Sequence, residues 1–411
     1  MFYYGGKAPH YHDLYRNRVE IREEGRCLTD LITREAARFI DDHNVEAGTR
    51  NSYHGGMLHI GCVELGFPVV QAAMSGYSDL AMRRVARLHG AVYTLNQGVL
   101  DQVVLTEDGK GDQITRVAPD DHPVGGQLLG AEPAAFARAA DVLVNAGYDC
   151  VDINFACPVR KVLSRGRGGF LLSQPQTALA IARSAYDAVA GRRPITVKLR
   201  RGFDDSAESE RNFFAILDGV FEIGIDAVTV HARTVKQGYT GRSQWSLLER
   251  VKKHVGERVI LGSGDLFCAE DCLRMMEQTG VDGVTGARGA IGNPWLFRDC
   301  RALLAGEPVP AAPTVAEQGE TIGRHYAWAV EVYGEKRASR IMRKFGIKYS
   351  ELHPQAVRVR DAFIQVKSSR DWHSVLAHWY DPDKDWPPAA RRTGPGHLVA
   401  AGAAPRAGPG G

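Results

Sequence analysis

Cys157 stands directly before Pro158, at the end of the apolar run Val151-Asp152-Ile153-Asn154-Phe155-Ala156. Proline restricts the backbone of the residue before it and stops a strand, so the thiol is held where the chain turns. A lone free cysteine more often packs as a small hydrophobe. This one has Asn154 three residues before it and Arg160, Lys161, Arg165 and Arg167 in the Gly-rich loop after it, a loop expected to lie over a ligand. Lys198 and Arg200 alternate with apolar residues, and a period of two puts both on one side of a strand. His231 closes the run Ala227-Val228-Thr229-Val230, and two further runs end in Gly262-Ser263-Gly264-Asp265 and Gly286-Ala287-Arg288-Gly289. Small residues let a backbone approach phosphate oxygens, and Arg288 can add a charge-assisted pair. Cations and glycine turns at such ends suit an electron-rich or anionic ligand.

Such residues need elements to position them. Eight short apolar runs read as strands: Pro68–Ala73, Ala91–Thr94, Val124–Leu129, Cys150–Asn154, Ile195–Leu199, Ala227–His231, Val259–Gly262 and Gly283–Gly286. Helical patterns follow most of them, at Ala134–Ala146, Thr177–Ala190, Glu208–Ile223, Ser246–His254 and Ala269–Gln278. Eight strands with intervening helices over residues 60–305 predict an α/β fold, the (β/α)8 or TIM barrel, which uses roughly 250 residues. An open doubly wound sheet would usually begin with a G-x-G-x-x-G turn, and Ala73-Met74-Ser75-Gly76 is no such turn. Barrel chemistry sits at the C-terminal ends of strands. There the sequence places Met74, Asn96, Gln127, Asn154 with Cys157, Lys198 with Arg200, His231, Ser263-Gly264-Asp265 and Ala287-Arg288.

The rest of the 411 residues divides by pattern. Residues 1–59 form an N-terminal extension in which Leu28, Leu31, Ile32, Ala36, Phe39 and Ile40 predict one amphipathic helix. Residues 314–380 lack strand-helix alternation and predict a small all-α helical domain after the barrel. Residues 381–411 are rich in Pro, Gly, Ala and Arg and predict a disordered tail. No apolar run approaches the ~18 residues of a membrane span, and no secretory h-region opens the chain. Seven scattered cysteines give no disulfide framework, so a cytoplasmic location is expected. Cys268 and Cys272 gain no further ligands, so no metal is expected. The net charge of +3 conceals a concentration: residues 336–370 hold ten Lys or Arg against Glu351 and Asp361. Beside a barrel with a basic loop, such a stretch fits a phosphate backbone.

The motifs resemble those of the tRNA-dihydrouridine synthases, FMN-dependent flavoenzymes. Val151–Gly169 is similar to that family's D-x-N-x-G-C-P signature with its closing glycine pair, and Ala72–Asp79 to its A-P-M-A-G-x-T-D. Thr196–Gly202 matches V-K-x-R-x-G, Val230–Thr234 matches V-H-G-R-T, and Gly280–Phe297 is similar to its T-G-x-D-G-V string. Met342-Arg343-Lys344-Phe345 carries a weaker likeness into the helical region.

The resemblance implies that Ala73, Met74, Ser75, Gln127, Lys198 and His231 hold the FMN ring system. It implies that Ser263, Gly264, Asp265, Ala287 and Arg288 hold the phosphate end. Asn154, Arg200 and Asn96 would contact uracil. Hydride from the reduced flavin would reach C6 while Cys157 donates a proton to C5, with NADPH as the reductant and tRNA as the macromolecular partner of a monomer. The chain departs from the family pattern at Ala73, Ala156, Ser263 and Ala287. Two other readings remain open: an FMN-dependent barrel oxidoreductase acting on a small substrate, and an RNA-binding member without activity.

Overall fold

A computed structural model describes residues 58–106 and 114–392, together with the backbone of three short strands, Asp13–Arg16, Val19–Arg22 and Leu398–Val399. The chain forms two compact units, Met1–His54 and Gly55–Gly411. In the first, Asp13–Arg16 pairs antiparallel with Val19–Arg22. The amphipathic helix expected around Leu28–Ile40 lies outside the described residues.

The second unit is built on a closed parallel barrel. Its strands are β1 Val69–Gln71, β2 Thr94–Leu95, β3 Val124–Leu129, β4 Cys150–Phe155, β5 Ile195–Arg200, β6 Ala227–His231, β7 Val259–Ser263 and β8 Gly283–Gly286. Each pairs with the next, and β8 returns to β1 through Val284↔Val69, Thr285↔Val70 and Gly286↔Gln71. The predicted TIM barrel is therefore present. The first helical partners are α1 Leu80–Leu88, α2 Pro133–Asn145, α3 Pro175–Val189, α4 Ala207–Ile223, α5 Trp245–Val255, α6 Ala269–Thr279 and α7 Trp295–Leu304.

Alternation along each strand sorts side chains between two environments. On β4, Val151, Ile153 and Phe155 point outward into the apolar layer shared with the helices, while Cys150 joins a separate inner cluster. A short hairpin, His59–Ile60 with Val63–Glu64, closes the N-terminal end of the barrel. Its Leu58, Ile60 and Leu65 pack with Val70, Tyr93, Leu95, Cys150, Ala227 and Leu261. The lower barrel is thus a filled core, and polar inward positions are confined to the upper end.

Five helices follow: α8 Val315–Tyr333, α9 Glu335–Ile341, α10 Arg343–Tyr349, α11 Ala356–Gln365 and α12 Ser369–Trp379. Reciprocal caps start α8 at Thr314 with Glu317 and α12 at Ser368 with Asp371. They enclose Tyr326, Phe345, Phe363 and Trp372, and the same cluster takes in Ala81 and Met82 of α1 and Trp295 of α7. Asp79 joins the two parts: one carboxylate oxygen caps α1 at Met82 N, and the other accepts from Tyr333 Oη at 2.9 Å. Gly292 has φ +69°, and a Cβ there would lie 2.6 Å from the Lys348 carbonyl oxygen, so only glycine permits this approach of barrel loop to α10.

One expectation needs correction. The sequence predicts a disordered stretch over 381–411, yet residues 381–392 pack as a strap. Trp386 lies against Trp379 and His353 and donates Nε1–H to the Asp381 carbonyl. Ala390 N–H bonds to the Leu352 carbonyl, and Arg392 is 7% exposed. The segment has no core of its own; it borrows the surface of the helical domain and of the loop after β8.

Candidate active site

A cavity of about 290 Å³ opens at the C-terminal end of the barrel. Ala73, Met74, Ser75, Gln127, Asn154, Cys157, Lys198, Arg200, His231, Ser263, Gly264, Asp265, Ala287 and Arg288 all line it. Inward positions on β4 and β5 explain the gathering. The pairs Asp152↔Thr196 and Asn154↔Lys198 stack successive polar rungs toward the mouth.

A buried relay fixes the thiol. Asp152 Oδ1 and Oδ2 accept from Thr196 Oγ1 and Gln127 Nε2, both at 2.6 Å. Gln127 Oε1 accepts from Asn154 Nδ2 at 2.7 Å. Asn154 Oδ1 accepts the backbone N–H groups of Ala156 at 2.9 Å and Cys157 at 3.0 Å. Asn154 is thereby a clamp on the Cys157 turn. Burial raises the Cys157 thiol pKa above its ordinary value, against the lowering effects of the Val159 backbone and Arg200, which keeps it protonated. The glycine pair after Cys157 does not lie over the cavity. A Cβ on Gly168 would meet Cys157 Cβ at 2.9 Å, and Gly169 N–H bonds to the Cys157 carbonyl. The pair lets the loop pack closely behind the cysteine.

The mouth is cationic. Burial lowers Lys198 to about 8, with Asp152 opposing that shift. Arg200 Nε donates to the Ala156 carbonyl at 2.8 Å, and its Nη1 donates to the carbonyls of Thr234 and Gly238 at 3.0 and 2.7 Å. Burial, followed by Arg200 and Lys198, holds His231 neutral well below its usual range. Its Nδ1 and the Thr285 hydroxyl oxygen are buried without a protein partner. Asp265, at φ +59°, spends its carboxylate on Arg233 at 2.6 Å and on Ser243 N–H at 2.8 Å. Arg288 Nη2 stands 3.7 Å from Asp265 and remains 41% exposed toward the cavity side. Gly264 adopts φ +123°, and a Cβ there would crowd Ser243 Cβ at 3.0 Å.

These features fit a flavin: a partly apolar wall from Ala72 to Met74, unpartnered polar atoms, a glycine cradle and an available guanidinium. Ala73, Ala156, Ser263 and Ala287 are absent from the described non-glycine residues with positive φ, so their side chains cost no backbone strain of that kind.

Asn96 is the exception among the predicted residues. Its Oδ1 accepts from Arg83 Nη1 at 2.8 Å, and its Nδ2 donates to the Ile114 carbonyl and Tyr148 Oη at 2.9 and 2.7 Å. It does not line the cavity. β2 ends at Leu95, and the next side chain turns into a structural network with the buried Arg83–Asp121 ion pair. Three further residues support the cavity or its lining, and the sequence assigned them no role: Asp152, Arg233 and Tyr239. Asp152 lies two positions before Asn154 on the same strand face, a signal that was available. Arg233 lies within the Val230–Thr234 motif, and Tyr239 sits further along the loop after β6, where no periodicity marks it. The Tyr239 ring lies 5.3 Å from the Arg200 guanidinium and 4.5 Å from that of Arg288.

Comparison with known proteins places this geometry. Residues 70–379 match the family described as Dihydrouridine synthase (Dus). A "Probable tRNA-dihydrouridine synthase" of Mycobacterium tuberculosis (strain ATCC 25618 / H37Rv) is 34% identical over 328 residues, covering 78% of this chain and 84% of that protein. One from Rickettsia conorii is 32% identical over 325 residues, covering 79% and 96%. One from Mycobacterium leprae is 37% identical over 265 residues, covering 64% and 68%. Among solved structures, histamine dehydrogenase from Rhizobium sp. 4-9 aligns with a TM-score of 0.49 at 15% identity, over 66% of this chain and 51% of that one. The family match spans most of the residues that build the barrel, the cavity and the helical domain, and the chain belongs to the dihydrouridine synthase family.

Proposed function

We propose that the protein reduces the C5–C6 double bond of a uridine in tRNA to dihydrouridine, with FMN held in the barrel cavity and NADPH as the reductant. The observation that carries this reading is the clamped, protonated Cys157 thiol facing a cationic cavity. Bound FMN, once reduced, supplies the hydride that C6 of uracil must receive. Cys157 Sγ–H supplies the proton for C5. The backbone at Ala73–Ser75, with Gln127, Lys198 and His231, holds the ring system. Ser263, Gly264, Asp265, Ala287 and Arg288 hold the phosphate end.

Negative charge develops on the base as C6 is reduced, and preorganised cations stabilise it best where water is excluded. Arg200 suits this task. Three of its N–H groups are fixed on carbonyls, so the guanidinium keeps its orientation, 5.3 Å from the Tyr239 ring. Asn154 retains one amide hydrogen beyond its bond to Gln127 for a uracil carbonyl. The target base must leave the RNA stack to reach this depth. Exposed Arg160, Lys161 and Arg165 border the thiol loop and suit the flanking phosphates.

The test is Cys157→Ala. The purified variant is expected to keep its flavin absorbance and to lose roughly 100-fold or more in turnover. Mass spectrometry of tRNA from cells carrying only this variant should show the target uridine unreduced. Wild-type turnover in the variant would remove Cys157 from the acid role.

A further inference from the structure

Arg392 reaches back across the molecule to the loop that follows β8. Its Nη1 donates to the carbonyls of Arg288 at 3.2 Å, Gly289 at 3.1 Å and Ile291 at 3.4 Å. Its Nη2 pairs with the Glu351 carboxylate. The side chain is 7% exposed, so this is a desolvated guanidinium and not a surface contact. The strap that delivers it is anchored twice more, by Ala390 N–H on the Leu352 carbonyl and by Arg391 Nη2 on the Pro310 carbonyl. This segment lies beyond residue 379, where the match to the family ends.

The clasped turn is the one that presents Arg288 to the cavity. Gly289 presses it against the neighbouring loop, since a Cβ there would sit 2.9 Å from Phe267 Cα. Holding 288–291 therefore also holds the loop that carries Gly264 and Asp265. A planar guanidinium with donors in a fixed fork can bind several carbonyls at once, which a lysine cannot reproduce. Removing it leaves those carbonyls and Glu351 without their buried donor.

We propose that Arg392 is a positioning residue for the flavin phosphate: it clasps the Arg288–Ile291 turn so that Arg288 and the adjoining loop are set for a phosphate group. The proposal rests on the reading that this end of the cavity takes the phosphate of FMN. It makes the strap, outside the matched family region, a part of the cofactor site.

The experiment compares two ligands on the full chain, stripped of flavin: FMN, and riboflavin, which lacks the phosphate. Arg392→Ala is expected to weaken FMN about tenfold, the scale of one lost orienting contact, and to leave riboflavin affinity unchanged. Arg392→Lys should recover part of the loss. Should Arg392→Ala fail to fold, Arg392→Lys carries the same two-ligand comparison. Equal weakening of both ligands would mean a general structural role and would overturn the proposal. Unchanged FMN affinity in Arg392→Ala, with FMN selectively weakened in Arg288→Ala, would overturn it too while sparing the phosphate reading. Unchanged FMN affinity in both variants would overturn the phosphate reading and the proposal with it.

Discussion

Lys198 keeps its charge only up to a pH of about 8, because burial among barrel residues costs the ammonium more than Asp152 returns. A ring carbonyl or nitrogen that accepts a hydrogen bond from the ammonium favours the protonated form, so FMN binding takes up a proton wherever free Lys198 has lost one. Affinity should then be level below this pH and fall as pH rises through about 8. Lys198→Met should weaken FMN and remove that fall; a titration of FMN affinity from pH 6.5 to roughly pH 9.5 reads both. Lys198 was legible in the sequence because period two and the strand end fix its direction. So were Cys157, Arg200 and His231. Asn96 was misread for the same physical reason in reverse: it follows a two-residue strand, and beyond the strand no pleat dictates where the side chain points. Tyr239 was invisible because its loop is set by Arg200 and Arg288, residues distant in the chain.

Strands and helices carried more of the fold than any single residue. β3, β6 and β8 run where the apolar runs predict, and most other bounds differ by one or two residues. The clearest difference is β2, expected at Ala91–Thr94 and found at Thr94–Leu95, where pairing to Val124 and Gly125 selects the register. Tertiary partners choose such ends, and local pattern cannot. The seam between barrel and helical domain was equally hidden, since it turns on Gly292. Gly292→Ala adds a left-handed backbone penalty and a clash with Lys348. It should destabilise the chain by about 3 kcal/mol. Urea unfolding should show a lower midpoint, and a midpoint equal to wild type would mean that the seam tolerates a methyl group.

Over the whole molecule, the modest net charge divides into a basic stretch, residues 336–370, and its compensation elsewhere. Of the ten basic residues between 336 and 370, seven are exposed: Lys336, Arg337, Arg340, Arg358, Arg360, Lys367 and Arg370. Lys344 and Lys348 are half-buried and engaged, with the Gly76 carbonyl and Glu351. If about four phosphates are neutralised by these exposed residues, tRNA affinity should fall roughly 100-fold between about 50 and 200 mM salt. FMN affinity should fall much less over the same range, because Lys198 and His231 are largely buried and Arg288 is the one half-exposed cation proposed to meet its phosphate. A shallow salt slope for tRNA would count against these residues as its phosphate contacts.

The clasp of Arg392 on the turn after β8 also has a consequence in time. The two partners lie 104 residues apart. At ~5–20 residues per second, translation needs about 5–20 seconds to travel from one to the other. A nascent chain can close its barrel well before that interval has passed. The turn must then wait, uncovered, for its guanidinium, and the ribosome's pace sets how long a newborn barrel stands without its last fastening.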